Sequence, residues 1–572
     1  MNKIKKLKEI FTQENLDGYI VPKNDEFFGE YVPKLKDNLK FISNFSGSFG
    51  FALILKKENY LFVDGRYTLQ AKIQSGKIFK IMTIPKNLPS DILKNRKLSI
   101  GFDPKLHTEP MIEYFFKKSN CNLIPLKENL INKIWIRKNT IKPNKFYKLN
   151  DKESGENSEN RIKKLSKILL KNKVDSQFVS ASENVAWLLN LRGKDSDYAP
   201  IPNSYLIIND KNKIYLFCDL KKISKKLRSS LLGIKVINIK ETEKFLLRIK
   251  NKTVQLDTAS CSVFFKNIIK KNNIVIQEQD PIYFLKSIKN KTEIKNIIKT
   301  HIYDGVALTK FLFWLKKNFK NKKISEINAQ NKLLKFRKNN KTFKSLSFPT
   351  ISGSGPNGAI IHYKANKKSD RILKKGDLYL VDSGGQYNFG TTDVTRTVSL
   401  NNNQDRVKNI FTRVLKGHIA VASYKLTRNT YGSEIDIVAR KYLKEINLNY
   451  SHGTGHGVGY FLNVHEGPHA ISAGNKVKFK EGMVVSNEPG YYENGKFGIR
   501  IENLIVVKKF KKNIKFENLT LVPIDKSLIV KKLLNKNERI WLNDYHSKVF
   551  NNLKRFMNKS EIIDLNTACS NI

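Results

Sequence analysis

The first 145 positions alternate apolar and polar residues in a way that predicts helices interleaved with strands. Ile4, Leu7 and Ile10 recur at helical spacing in the opening segment, which predicts an amphipathic first helix. The apolar runs within FGFALILKKENYLFVDGRY predict strands, and MIEYFFKKSN predicts a further helix. We therefore expect an N-terminal α/β domain over residues 1–145.

A polar segment follows this first domain. Over residues 138–164 the apolar content falls while Pro, Asn, Ser and charged residues become frequent, which indicates a linker. Residues 155–290 then repeat the earlier order, with a helical pattern, strands in SYLIIND and KIYLFCDL, and a strand and helix in VQLDTASCSVFFKNII. We interpret the two segments as related α/β units, although their residue identity is too low to show a repeat.

The third region, residues 291–525, has a different pattern. A long helical stretch begins near Thr292, and short polar loops rich in glycine then separate strand-like runs. This order predicts an α+β domain. Residues 526–572 are helix-like again and are expected to be a C-terminal extension that packs on the third domain.

Composition narrows the classes of protein. The 572 residues suffice for roughly three or four domains, and 40% hydrophobic residues exclude global disorder. Lys and Arg number 105 against 51 Asp and Glu, a net charge of +54, but the lysines recur from the first decade of residues to the last. Such dispersion is typical of solvated surfaces, so we expect no specific nucleic-acid partner.

Cysteine usage and hydropathy indicate the compartment. The four cysteines are far apart and form no CxxC pair, which favours a reducing environment. Glu9 and Gln13 interrupt the apolar positions near the N-terminus, which argues against a signal peptide, and no run of 18 apolar residues occurs. We expect a cytoplasmic protein without a membrane segment.

Two pairs of acids stand near the ends of apolar strands in the third region. GDLYLVDSGGQYNFGTTDVTRTVSL places Asp382 at the end of one strand and Asp393 inside the next, so the two acids can face each other across a hairpin. MVVSNEPGYYENGKFGIRIENLIVV places Glu488 and Glu502 in the same way. Arg500 shares a strand face with Glu502. A turn-forming role for Asp382 and an exposed Arg500–Glu502 ion pair are the simpler alternatives.

Histidines concentrate between and around these acids. His452 and His456 are four residues apart, but Gly453 and Gly455 favour a loop or strand over a zinc-binding helix. Four carboxylates and one neutral imidazole carry a charge of −4, which two divalent cations neutralise. An oxygen-rich ligand set with one histidine favours Mn²⁺, with Co²⁺, Fe²⁺ or Zn²⁺ as alternatives.

The order Asp382, Asp393, His456, Glu488 and Glu502, with PTISGSGPNGAIIHY before it and HGTGHGVGYFLNVHEGP within it, resembles the pita-bread metallopeptidases of family M24. The similarity is to the three-domain aminopeptidase P group and covers nearly the whole chain, including FISNFSGSFG, VAWLLNLRG and WLNDYH. It implies two α/β domains of the creatinase/prolidase N-terminal type, followed by a pita-bread catalytic domain with a C-terminal extension.

The resemblance also implies a metal centre. Asp382 would bind one metal, His456 and Glu488 the other, and Asp393 and Glu502 both. A hydroxide between the two metals would attack the scissile carbonyl, with Glu488 as the base that handles its proton.

Further residues receive roles only through this resemblance. His465 would stabilise the oxyanion, His362 would assist proton transfer and leaving-group departure, and His452 would line the substrate cleft. Tyr492 and Arg500 match positions that orient Asp382 and the hydroxide.

The implied activity is removal of the first residue from peptides with proline in the second position, by an enzyme that forms a homodimer. One alternative is a prolidase, which shares the ligands but cleaves dipeptides. Another is a non-catalytic pita-bread protein that binds peptide or nucleic acid. Creatinase, which has the same fold and works without metal, is disfavoured because all five ligands are present here. GSGPNG lacks the GK[ST] of a phosphate loop, and WLNDYH is expected to be packing or dimer surface.

Overall fold

The structure is a computed structural model, and it describes residues 2–137, 143–401, 403–510 and 513–572. Two compact units form: Met1–Asp151 with Glu156–Tyr283, and Lys152–Gly155 with Phe284–Ile572. The first five residues of the predicted 138–164 linker lie outside the described residues. Among the described helices, none has the length and apolar composition needed to cross a membrane.

The N-terminal part of the first unit contains the predicted mixture of helices and strands. Its strands are β1 (Gly18–Pro22), β2 (Phe51–Leu55), β3 (Asn59–Asp64), β4 (Lys80–Ile84), β5 (Ser99–Phe102) and β6 (Asn122–Pro125). Its helices are α1 (Asn2–Gln13), α2 (Asn38–Ser43), α3 (Thr68–Ser75), α4 (Pro89–Leu93), α5 (Glu109–Phe116) and α6 (Leu130–Ile134). The apolar face of α1 that the sequence predicted is buried.

The next segment contains a second set. Its strands are β7 (Tyr147–Lys148), β8 (Ser176–Val179), β9 (Leu191–Arg192), β10 (Ser204–Asn209), β11 (Ile214–Cys218), β12 (Ile234–Asn238), β13 (Thr253–Leu256) and β14 (Ile274–Gln277). Its helices are α7 (Asp151–Ser154), α8 (Ser158–Lys171), α9 (Ser182–Leu188), α10 (Lys225–Ser229), α11 (Thr242–Leu247), α12 (Val263–Lys270) and α13 (Pro281–Ser287).

The two six-stranded sheets of this unit have the same topology. The first has the order β4-β3-β2-β1-β5-β6, and the second has the order β12-β11-β10-β8-β13-β14. In both orders, the third and fourth strands pair antiparallel with each other. The first two strands pair parallel with each other, and so do the last two. This match confirms that the two segments are related α/β units.

The second unit begins with two helices and continues mainly as antiparallel strands. Its strands are β15 (Phe343–Leu346), β16 (Ile351–Ser354), β17 (Leu378–Ser383), β18 (Gly385–Tyr387), β19 (Gly390–Thr391), β20 (Val394–Ser399), β21 (Gly455–Gly457), β22 (Glu466–Ile471), β23 (Val484–Asn487), β24 (Gly490–Glu493), β25 (Phe497–Arg500), β26 (Asn503–Phe510) and β27 (Asn513–Asn518). Its helices are α14 (Lys291–Asn318), α15 (Glu326–Lys338), α16 (Asp405–Ala422), α17 (Gly432–Lys444), α18 (Lys536–Leu553) and α19 (Lys559–Cys569). The α+β prediction for this region is confirmed.

Two antiparallel sheets of the second unit contain the strands that end near the predicted acidic pairs. One has the order β16-β17-β20, and the other has the order β22-β21-β23-β26-β27. Helices α16, α18 and α19 bury their apolar faces in a shared core that includes Phe411, Leu415, Leu542 and Val549. The C-terminal extension is therefore part of the core of this unit, as expected.

A buried charge cluster ties β22 to the segment that precedes α14. Glu466 accepts hydrogen bonds from Lys286 Nζ at 3.0 Å and from Lys289 Nζ at 2.5 Å. All three side chains are at most 1% exposed. Burial alone would raise the pKa of Glu466, but the two lysines hold it below its ordinary value.

We expect Glu466→Gln to lower the free energy of unfolding by about 3–5 kcal/mol, because the two lysines lose the carboxylate that offsets their burial. The contribution of a carboxylate with a lowered pKa is complete above its unfolded pKa of about 4.3 and is lost as the pH falls through the lowered value. Denaturant unfolding between pH 3 and pH 7 measures both effects. The exposed Glu481 supplies the control Glu481→Gln, and an equal loss in both variants would contradict the prediction.

Candidate metal centre

The first acidic pair lies where β17 and β20 meet. The two strands pair antiparallel, and Thr395 is the residue opposite Asp382. Asp393 lies one residue before β20 rather than inside it, because the β18–β19 hairpin occupies the chain up to Thr391. Both carboxylates are buried, with 7% and 4% of the residue exposed.

The second pair also comes from adjacent strand ends. Asn487 of β23 faces Asn503 of β26, so the flanking residues Glu488 and Glu502 leave the sheet side by side. Glu502 lies in the gap between β25 and β26 and not within a strand. Its backbone N–H donates to the carbonyl of Thr395 at 3.2 Å, which joins the two sheets at this point.

His456 reaches the acids from β21, a short strand rather than a helix, as the flanking glycines indicated. Its Nε2 is 3.5 Å from Asp393 Oδ2 and 3.4 Å from Glu488 Oε1. Its Nδ1 is 3.0 Å from the carbonyl oxygen of Gly457, to which it can donate, and Nε2 then faces the carboxylates. A Cβ on Gly455 would lie 1.9 Å from the carbonyl oxygen of Ser486, so only glycine allows this close approach.

Three carboxylate oxygens at this site are buried and have no hydrogen-bond partner among the described residues: Asp382 Oδ1, Asp393 Oδ1 and Glu502 Oε1. Ligand atoms of Asp393, His456 and Glu502 lie within 4.8 Å of one another. Burying carboxylate oxygens without donors is costly unless a cation binds them. The residues present therefore fit a divalent metal centre.

The electrostatics of the cluster agree with this. Burial raises the pKa of Asp382 to about 7 although Arg500 opposes the shift, and it also raises the pKa values of Glu488 and Glu502, with neighbouring carboxylates adding to the increase. Burial disfavours the charged form of His456, but hydrogen bonding to Asp393 and the charge of Glu488 raise its pKa to about 9. The four carboxylates carry more negative charge than the cationic side chains of His456 and Arg500 can neutralise.

Arg500 and Thr395 donate hydrogen bonds to the other carboxylate oxygens of Asp382 and Glu502 and so fix the orientation of these two side chains. Arg500 Nη2 donates to Asp382 Oδ2 at 2.6 Å, and its Nε donates to Thr395 Oγ1 at 3.1 Å. Thr395 Oγ1 donates in turn to Glu502 Oε2 at 2.8 Å. Arg500 also donates to the hydroxyl of Tyr492. Arg500 thus pairs with Asp382, and the simpler alternative of an exposed Arg500–Glu502 pair is wrong.

The remaining predicted residues lie around this centre. The exposed ring of His465 stands edge-on to the ring of His456, with 4.3 Å between centroids. His452 Nε2 is 2.9 Å from the Tyr492 hydroxyl. His362 is half-buried in a turn, and the carbonyl of its neighbour Ile361 is 3.5 Å from Arg500 Nη2.

His469, the last of the seven histidines in residues 291–525, is fully buried. Its Nε2 bonds to the carbonyl of Val484 at 2.8 Å, and burial lowers its pKa to about 4. This histidine is structural.

Sequence reasoning missed Thr395 and Ser486. The Ser486 hydroxyl donates to Glu488 Oε1 at 3.0 Å and accepts from the N–H of His456 at 2.9 Å. Both residues lie two positions from a predicted ligand, Thr395 after Asp393 and Ser486 before Glu488. The period of two along an extended chain was the signal that could have found them.

Family models match the whole organisation of the chain. Residues 3–134 and 137–293 each match the Creatinase/Prolidase N-terminal domain. Residues 295–509 match Metallopeptidase family M24, and residues 512–572 match the C-terminal region of peptidase M24. The chain belongs to metallopeptidase family M24.

Full-length relatives define the group within the family. The probable Xaa-Pro aminopeptidase P of Laccaria bicolor is 39% identical over 96% of this chain and 89% of its own length. The Xaa-Pro aminopeptidase 1 of Dictyostelium discoideum is 37% identical over 96% and 92%. The crystal structure of X-prolyl aminopeptidase from Caenorhabditis elegans, described as a cytosolic enzyme with a di-nuclear active site, matches with a TM-score of 0.94 at 31% identity over 100% of this chain and 99% of that one. Within family M24, this chain groups with the Xaa-Pro aminopeptidases, as the motifs predicted.

We expect Thr395→Val to weaken metal binding by about 10-fold, because valine keeps the shape but removes the donor to Glu502 and the acceptor for Arg500. Calorimetric titration of the metal-free protein with Mn²⁺ measures the affinity. Thr309→Val is the matched control, since the buried Thr309 hydroxyl has no partner among the described residues. Equal affinities in the two variants would show that Thr395 does not orient the ligands.

Proposed function

We propose that this chain hydrolyses the bond between the first residue and proline in peptides of three or more residues, with two divalent metal ions. The observation that carries the proposal is the set of three buried carboxylate oxygens without donors, from Asp382, Asp393 and Glu502. It is supported by full-length relatives named as Xaa-Pro aminopeptidases and by the C. elegans relative with its di-nuclear active site.

In this proposal Asp382 would bind one metal, His456 and Glu488 would bind the other, and Asp393 and Glu502 would bind both. A donor set of carboxylates with one imidazole favours Mn²⁺, with Co²⁺, Fe²⁺ or Zn²⁺ as alternatives. When bound, two such ions lower the pKa of a water molecule between them and so supply hydroxide near neutral pH.

The chain's own residues would then position the peptide and move protons. Glu488 is the base, because its carboxylate lies within the cluster, 3.4 Å from His456 Nε2, and burial raises its pKa above the ordinary value. His465, which stands exposed beside His456, is the donor that stabilises the oxyanion. His362 protonates the departing proline nitrogen, and His452, held by Tyr492, lines the substrate cleft.

Proline after the scissile bond suits such a site. The bond is a tertiary amide without N–H, so an apolar pocket can select the ring without satisfying a donor. A prolidase must also hold the free carboxylate of that proline. The prolidase from Pyrococcus furiosus covers 62% of this chain at a TM-score of 0.51 and 25% identity, whereas the X-prolyl aminopeptidase from C. elegans covers 100% at a TM-score of 0.94 and 31% identity.

A non-catalytic binding protein of this fold fits less well. All five predicted ligands are present, and the buried oxygens of three of them lack donors among the described residues. We further propose that the protein is cytoplasmic, as the C. elegans relative is described to be, and that it forms a homodimer. Its partners would be peptides with proline in the second position and no specific nucleic acid.

The decisive experiment compares Xaa-Pro-Yaa tripeptides with Xaa-Pro dipeptides, with and without a chelator. We expect release of the first residue from the tripeptide, loss of activity with chelator, and best recovery with Mn²⁺. N-terminal acetylation should block cleavage, because the free amine binds at or beside the metals. Rapid hydrolysis of dipeptides without attack on tripeptides would favour prolidase, and full activity in chelator would refute a metal-dependent mechanism.

Two substitutions separate ligand from proton-transfer roles. Glu488→Gln should lower metal content and turnover together, since it removes a ligand charge and the base. His362→Ala should keep both metals and lose turnover by about 100-fold or more. Metal analysis and steady-state kinetics on the same preparations test this, with Glu481→Gln as the control. Loss of metal from the His362 variant would contradict its assignment.

A further inference from the structure

Arg396 lies in the core of the second unit with 1% of its surface exposed, one residue after Thr395 of the candidate metal centre. Its Nη1 donates to the carbonyl oxygens of Thr395 at 2.8 Å and Glu502 at 2.7 Å. These are the two residues whose side chains bond to each other at the site. Arg396 therefore holds the backbone from which a metal-binding carboxylate and its donor project.

The other side of the same guanidinium faces the C-terminal extension. Its Nη2 donates to the hydroxyl of Tyr545 at 2.8 Å, to Asn503 Oδ1 at 2.8 Å and to the carbonyl of Val522 at 2.7 Å, and its Nε donates to the carbonyl of Pro523 at 3.1 Å. A single planar group thus spans from α18 to the strand ends of the site.

The bonding of Arg396 is unusual for a buried charge. In the part of the chain that the structure describes, each of its hydrogen-bond acceptors is a neutral oxygen, and no carboxylate lies within salt-bridge distance. A buried cation normally has a paired anion. Burial lowers the pKa of Arg396, and Tyr545 and the charge of Glu502 oppose that lowering.

Tyr545 completes the acceptor shell from α18. Its hydroxyl accepts from Arg396, donates to the carbonyl of Val522 at 2.8 Å, and accepts from the N–H of the same residue at 3.3 Å. Next to it, His546 Nε2 accepts from the N–H of Ile524 at 3.1 Å. The YH of the WLNDYH motif therefore clamps residues 522–524 against Arg396.

We propose that the C-terminal extension is a working part of the metal centre, in which Tyr545 is a positioning residue that acts through Arg396 on Glu502. This inference rests on the proposed function, because it assumes that Glu502 binds metal. It assigns the WLNDYH motif a role in positioning a metal ligand, beyond the packing or dimer-surface role expected from the sequence.

The test uses the full chain after removal of metal. We expect Tyr545→Phe, which keeps the ring and its stacking on Trp541, to bind Mn²⁺ about 10-fold more weakly in calorimetric titration. Arg396→Lys keeps the charge but loses the planar fork, and it should reproduce the loss. Excess Mn²⁺ should restore most of the turnover of Tyr545→Phe. Because bound metal also stabilises a folded state, the metal-free melting temperature is what separates weakened metal binding from a folding defect.

Tyr303→Phe is the matched control, because the Tyr303 ring packs on Phe556 of the same extension. It should bind Mn²⁺ as the wild type does. The metal-free melting temperatures of both tyrosine variants should fall by no more than about 4 °C. Unchanged affinity in Tyr545→Phe, or an equal loss in Tyr303→Phe, would overturn the inference, whereas a wild-type chain that binds no Mn²⁺ would overturn the proposed function.

A measurement on the wild type decides the matter even if Tyr545→Phe does not fold. Coupling between two sites is reciprocal, so Mn²⁺ should stabilise the contacts of Tyr545 if those contacts favour Mn²⁺ binding. Hydrogen exchange at the amides of residues 520–522, 524 and 541–549 should therefore slow on addition of Mn²⁺, more than in α17. Exchange that Mn²⁺ leaves unchanged in these segments would refute the coupling.

Discussion

Mutual repulsion among four buried carboxylates is the constraint around which the second unit is organised. Asp382, Asp393, Glu488 and Glu502 come from separate strand ends, and burial raises the pKa of three of them. A protein can keep such a group only by supplying positive charge, internally or as bound cations. Arg500 offsets one carboxylate directly. Metal ions are the simplest source for the remainder, and the backbone geometry of both sheets converges on the place where they would bind.

Much of this arrangement could be predicted from the sequence, because the signals are local. Strand periodicity put each acid at or near a strand end, and the glycines around His456 excluded a helix. What failed was placement to the residue: Asp393 and Glu502 lie just outside the strands, because a hairpin and a gap between strands occupy the neighbouring positions. The partner of Arg500 was also not derivable from strand spacing, since Asp382 approaches from another sheet.

The buried cations could not be predicted from the sequence, for a different reason. Lys286, Lys289 and Arg396 are three of 105 Lys and Arg residues, and nothing in their immediate sequence separates them from the solvated majority. Their burial depends on pairings across the fold, such as Lys289 with Glu466 and Arg396 with Tyr545. In a chain as lysine-rich as this one, charge composition gives little information about which cations matter.

The chain distances between the ligands have a consequence for how the centre comes into existence. Its residues are spread from position 382 to position 502, and the parts of the site are joined by side-chain contacts between residues distant in sequence, Thr395 with Glu502 (107 positions apart) and Asp382 with Arg500 (118 positions apart). Contacts of such long range form late, because loop closure must precede them. The metal centre therefore does not nucleate the fold. In this it differs from the metal site of a zinc finger. The chain must reach its native topology with only bound protons, His456 and Arg500 to offset the repulsion, and metal binds afterwards, so a cell short of metal would accumulate a folded, inactive form rather than an unfolded one.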